Sequence, residues 1–189
     1  VTNVPFVRPC SGGRIVLACA GAMKNTPTDS VAILQGLGRC PSVTPHEGGA
    51  LTLLENLLST HGFVCQRLIF KDQDTPDVEN LFARIGTTEP HLCFAGHTDV
   101  VPVGNEGDWA HEPFAAEIKD GMLYGRGATD MKGSVAAVAA AAMDYLEQNG
   151  KPAGSISCLR TGADAGHAGN GPITVLECMR ANGHIPNQL

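Results

Sequence analysis

Two apolar periodicities alternate along the chain. After Thr28-Asp29-Ser30, the residues Val31, Ile33, Leu34 and Leu37 recur at helical spacing, and Gly38 and Pro41 close the run. A polar start and a Gly/Pro stop predict a capped helix. Ala50, Leu54, Leu57 and Leu58 predict a second helix, ended by Gly62. Phe63 to Phe70 reads as a strand, Lys71 to Asp77 as a polar turn and Leu81 to Ile85 as another strand. Leu92-Cys93-Phe94-Ala95 is short and wholly apolar, the pattern of a fully buried strand. Ile118 to Tyr124 predicts a hairpin turning at Asp120-Gly121. Gly133 to Glu147 is an Ala-rich helix closed by Asn149-Gly150, and its alanines allow close packing on a sheet. Ser155 to Leu159 is strand-like, and Pro172 to Asn182 predicts a last helix, with Pro172 in its first turn and Gly183 after its end. Strands alternating with helices predict an α/β fold: a mixed, largely parallel sheet flanked by helices on both faces.

Composition narrows the function classes. With 189 residues the chain can bury one respectable core. The net charge of −6, without a basic run, argues against nucleic acid as a partner. No apolar stretch approaches membrane-spanning length. The seven cysteines are odd in number and lack Cys-x-x-Cys spacing, which opposes both a disulfide framework and a zinc finger. Cys65, Cys93 and Cys158 sit in strand-like runs, as small buried hydrophobes of a cytoplasmic protein would.

Candidate chemistry gathers at Gly96-His97-Thr98-Asp99-Val100-Val101-Pro102, just after the apolar run, and at Gly127-Ala128-Thr129-Asp130-Met131-Lys132-Gly133. The end of a sheet strand is where ligands collect in open α/β folds. Two positions apart on extended backbone, His97 and Asp99 leave the same face. An imidazole beside a carboxylate suits a metal ligand, because the carboxylate takes the second ring N–H and fixes the tautomer. Asp130 offers another carboxylate at a loop-to-helix junction. A lone His-x-Asp pair is more often a loop hydrogen bond, so the surrounding words decide.

Those two words, joined by Trp109, Pro113-Phe114 and Asp120-Gly121-Met122-Leu123-Tyr124-Gly125-Arg126, resemble the di-zinc aminoacylase/carboxypeptidase-type amidohydrolases. That family includes aminoacylases, acetylornithine deacetylase and succinyl-diaminopimelate desuccinylase. The spelling is nearest the desuccinylase branch, as is Arg39-Cys40-Pro41-Ser42-Val43-Thr44-Pro45. The resemblance runs from about Met23 to Leu189, so residues 1–22 are read as an unassigned N-terminal extension and 23–189 as part of a catalytic domain, with the lid/dimerisation domain absent. Arg8 and Arg14 before Ile15 to Ala22 only superficially resemble a signal peptide.

The resemblance implies that His97 ligates one zinc (cobalt is an alternative), that Asp130 bridges two, and that Asp99 orients His97. It implies a small N-acyl amino acid as substrate, attacked by a zinc-activated water after a carboxylate has taken the water's proton. Where the family carries an Asp-Glu-Glu-Gly word, this chain has Thr161-Gly162-Ala163-Asp164-Ala165-Gly166-His167. Asp164 stands at the position of the base, one methylene shorter, and Ala165 at that of a ligand; His167, two residues along, is either a substitute ligand or, as such loop histidines more often are, an ordinary exposed side chain. A downstream Gly-Glu-Pro ligand, the lid and a final ligating histidine do not occur in the sequence. The expectation is therefore a sheet open on the side where such a segment would return. Two readings stay open: a desuccinylase-like amidohydrolase in impaired form, and a non-catalytic remnant or binding module holding at most one metal weakly.

Overall fold

The computed structural model describes residues 14–17, 28–72, 75–162 and 172–189; side chains are described outside 14–17, 71–75 and 172–173. The chain forms β1 (Arg14–Leu17), α1 (Ser30–Gly38), α2 (Ala50–Thr60), β2 (Val64–Asp72), β3 (Thr75–Ile85), β4 (His91–His97), β5 (Glu117–Lys119), β6 (Met122–Tyr124), α3 (Gly133–Asn149), β7 (Ser155–Thr161) and α4 (Pro172–Ala181). The Asp29 carboxylate accepts from the Val31 N–H at 3.0 Å, capping α1 as its sequence predicts. The small hairpin β5–β6 turns at Asp120 and Gly121, both in the left-handed region (φ 52° and 76°).

The main sheet has the order β1-β2-β3-β7-β4. It is mixed and α/β as expected, but it is not largely parallel. The β1/β2, β2/β3 and β3/β7 pairings are antiparallel, and only β4/β7 is parallel. Alternation of strands and helices holds only in the second half of the chain, where α3 carries β4 over to β7. A second correction concerns the polar turn read over Lys71 to Asp77. Asp72 pairs with Thr75 and Phe70 with Val78, so most of that stretch is strand. Polar residues of β3 are buried by pairing, as with Asn80, which donates to the Leu68 carbonyl at 3.2 Å.

Helices cover both faces of the sheet. On one, Ile33 and Leu37 of α1, Leu51, Leu54 and Leu58 of α2 and Val135, Ala139 and Met143 of α3 pack with Cys65, Leu81, Ala83 and Cys158. On the other, Val175, Cys178 and Met179 of α4 pack on Leu68, Phe82, Cys93 and Leu159. Each fully buried Leu, Val or Met contributes about 1.5–3 kcal/mol. Among the described residues, Cys40, Cys65, Cys93, Cys158 and Cys178 are not joined in disulfides. No helix among the described residues is long and apolar enough to cross a membrane.

β4 departs from the fully buried strand its composition predicts: Cys93 is buried, Leu92 and Phe94 only partly, and Ala95 is exposed. Its position at the sheet edge is the reason. The chain's last residues cover half of that edge. Asn187 N–H donates to the His91 carbonyl at 2.8 Å and Cys93 N–H to that of Gln188 at 2.9 Å. Beyond them an apolar hollow of about 220 Å³ stays open between Ala95, Gly96, Met131, Leu159, Leu176 and Leu189.

Candidate metal centre

β4 delivers His97 as its last residue, at the carboxyl end of the one parallel pair. The chain beyond is clamped. Thr98 N–H donates to the Thr161 carbonyl at 3.0 Å and Val100 N–H to that of Ser42 at 2.9 Å. The Ser42 hydroxyl donates to the Thr98 carbonyl at 2.6 Å. A segment nearly sixty residues upstream thus fixes the backbone that carries Asp99.

Asp99 is 1% exposed. One carboxylate oxygen accepts from the Thr44 hydroxyl at 2.6 Å, and the other lies 3.4 Å from His97 Nδ1. The same ring nitrogen is 3.1 Å from the Asp99 carbonyl. Two acceptors on one nitrogen hold the proton at Nδ1 and leave the lone pair on Nε2.

Asp130 arrives from the other side. Gly127, in the left-handed region at φ 77°, opens a wide turn over Ala128–Lys132, inside which Asp130 is extended (φ −126°, ψ 100°). The kink throws its carboxylate outward just before α3, and Oδ1 lies 3.3 Å from His97 Nε2. The Asp130 side chain is 87% exposed and that of His97 13%. A lone pair and a carboxylate facing each other at this distance need a cation between them, either a second ring proton or a metal. Two donors at about 2.0–2.1 Å from one tetrahedral zinc stand roughly 3.3 Å apart, so the pair fits a metal. Among the described residues, no group of three or more His, Cys, Asp or Glu side chains is placed to hold one ion. Asp164, Ala165 and His167 lie outside the described residues.

Behind the pair Lys132 is wholly buried. Its ammonium donates to the Cys40 carbonyl at 2.8 Å. Burial pushes its pKa down to about 8, against the opposing pull of the Cys40 and Asp99 charges. In front, a cleft of about 280 Å³ is lined by His97, Asp99, Trp109, Arg126, Ala128 and Asp130. Trp109 Nε1 donates to the Val103 carbonyl at 2.9 Å, and the Arg126 guanidinium carbon sits 4.8 Å from the indole centroid.

The structure therefore brings His97, Asp99 and Asp130 together from two junctions of the chain. Thr44, Ser42, Lys132 and the Trp109–Arg126 pair are parts of the site that periodicity does not single out. The one sequence signal for Thr44 and Ser42 is their place inside the Arg39–Pro45 word.

Residues 93–185 match the sequence model of peptidase family M20/M25/M40. The fold is shared with a metallo-carboxypeptidase of the M20 family from Sulfolobus solfataricus, at 24% identity and TM-score 0.60 over 71% of this chain and 30% of the other. Human carnosine dipeptidase 1 aligns at 22% identity and TM-score 0.66, over 80% of this chain and 35% of that one. A dinuclear metal-binding peptidase of the M20 family from Bacillus subtilis aligns at 18% identity and TM-score 0.51, over 82% and 39%. The chain spans 30–39% of the length of these structures.

Proposed function

From an M20-family sequence over residues 93–185 and the fold of M20 catalytic domains, we propose that this chain is the metal-binding part of a hydrolase acting on a small amide or peptide. The observation that carries the reading is the 3.3 Å approach of His97 Nε2 and Asp130 Oδ1, with the His97 proton held on the opposite nitrogen by Asp99. In this reading His97 and Asp130 are the metal ligands. When bound, a divalent cation such as zinc or cobalt supplies Lewis-acid polarisation of the scissile carbonyl. The chain's own part is to aim the imidazole Nε2 and to bring a carboxylate to it. Asp164 is the sequence's candidate for the proton acceptor. The wording of the motifs around His97 and Asp130 supports an N-acyl amino acid, N-succinyl-diaminopimelate among them, as substrate.

A second reading has its own support. With no third donor among the described residues and Ala165 at a position where the resemblance implies a ligand, the domain would hold one metal weakly without catalysing hydrolysis. Titrating the apo-protein with Co²⁺ and following its visible bands, then competing with Zn²⁺, tests the shared premise. We expect at most one equivalent, lost in His97→Ala and in Asp130→Asn; uptake unchanged in both variants would overturn the site. Amide hydrolysis by the loaded chain, abolished by His97→Ala, separates the hydrolase from the binding domain.

A further inference from the structure

The cleft contains one cation whose hydrogen-bonding capacity is almost unspent. Arg126 follows β6 and sits beside the Gly127 turn, with its backbone N–H fixed on the Pro113 carbonyl at 2.8 Å. Its guanidinium lies against Trp109 at 4.8 Å. Its one side-chain hydrogen bond to a described residue is long, from Nη2 to the Pro102 carbonyl at 3.4 Å. Nε is shielded from solvent without an acceptor, and Arg126 makes no ion pair with any described carboxylate. Of the carboxylates lining the cleft, Asp99 is engaged by Thr44 and His97, and Asp130 faces His97. The indole is itself locked to Val103, so the arginine is braced rather than adrift.

A planar fork of donors, held on an aromatic face and lacking an anionic partner, is built to receive a carboxylate. We propose that Arg126, braced on Trp109, is the anion handle of this cleft and takes a carboxylate carried by the amide substrate. The inference deepens the proposed function by assigning substrate class, and its ligand chemistry rests on that reading. The carboxylate has two possible sources: the acyl side of the amide, as in a succinyl group, or the α-carboxylate of the amino acid. The terminal nitrogens, with one 3.4 Å hydrogen bond between them to a described residue, are the donors a carboxylate would meet.

Trp109 is the sole tryptophan in the chain, so its fluorescence reports on this pair directly. The experiment titrates the full chain, in EDTA so that no metal contributes, with N-methylsuccinamate and with N-acetylglycine. Each carries one amide and one carboxylate, on opposite sides. The expected result is a saturable change with at least one of them, and the tighter of the two identifies the side. Arg126→Met should weaken it at least tenfold, the scale of a lost charge-assisted hydrogen bond, and Arg126→Lys should fall between. Both variants are checked by thermal melting, and Arg126→Gln replaces Arg126→Met if that chain does not fold. Because the titration is run in EDTA, failure of the metal site and failure of the handle are read separately. An equal response to N-acetylglycinamide or to chloride at matched ionic strength, unchanged affinity in Arg126→Met, or no response in the parent chain would each overturn the proposal.

Discussion

Thr44 shows how much of the site depends on single hydrogen bonds. Asp99 is buried, and its carboxylate is kept by the Thr44 hydroxyl at 2.6 Å and the His97 ring. Thr44→Val keeps the shape and removes the donor. Leaving one oxygen of a buried carboxylate unmatched costs about 1–3 kcal/mol, and loosening the group behind a metal-ligating histidine typically costs 10–100-fold in affinity. We expect both losses, read as a lower urea midpoint and a weaker Co²⁺ titration, with Thr44→Ser close to the parent in each. His97, Asp99 and Asp130 are legible in the sequence because chemistry and spacing coincide within two short words. Thr44 and Lys132 are not, since each meets its partner only after a fold brings residues some fifty-five to ninety-two positions apart into contact. Nothing local in a threonine or lysine announces that.

At the level of elements, the helices were readable in detail and the sheet was not. Caps and stops are local chemistry: Asp29 caps α1 as its sequence predicts, and Gly150 closes α3 at a positive φ of 74° that favours glycine. Strand direction depends on partners remote in sequence, and burial of polar side chains on β2 and β3 hides their periodicity. Arg67 is the clearest case. It is 6% exposed and bonds Glu55 at 2.8 Å, Glu79 at 2.9 Å and the Thr52 hydroxyl at 2.9 Å, tying α2 to both strands. Arg67→Ala strands a Glu55 side chain only 11% exposed; breaking a buried pair from one side costs about 3–5 kcal/mol. Glu79, 42% exposed, should matter far less, at most about 1 kcal/mol. Urea unfolding of Arg67→Ala and Glu79→Gln tests the contrast; equal losses would mean that Glu55 is not the partner that counts.

Across the whole molecule, the end of the chain and the exposed rim of the sheet meet over a buried polar cluster that the apolar pattern could not foresee. The His91 ring, 2% exposed, contacts the Ser157 hydroxyl at 2.8 Å, and the Asn187 side chain accepts from its backbone N–H at 2.7 Å. Beside it Arg84 of β3 reaches His184 Nδ1 at 2.7 Å and the Ser155 hydroxyl at 2.8 Å. Burial, then the Arg84 charge and then His184 push the His91 pKa down from 6.5 to about 4. The sign follows from proton counting: between these values the unfolded chain binds a proton at His91 that the folded chain refuses. Folding is thus unpenalised above pH 6.5, loses stability as the pH falls toward 4, and reaches its full loss below that. For the shift from 6.5 to about 4, the full loss is about 3 kcal/mol. Carboxylates titrate in the same acid range, so the difference between parent and His91→Asn isolates the effect. Urea midpoints measured from pH 7.5 to pH 4 should converge as the pH drops, because the variant lacks the penalised proton. The cluster lies under the strap formed by His184 to Gln188, so the protection of the Cys93 amide, whose N–H binds Gln188, against exchange relative to the unfolded rate should fall over the same interval in the parent and not in the variant. Parallel curves for the two proteins would place the acid sensitivity elsewhere in the fold.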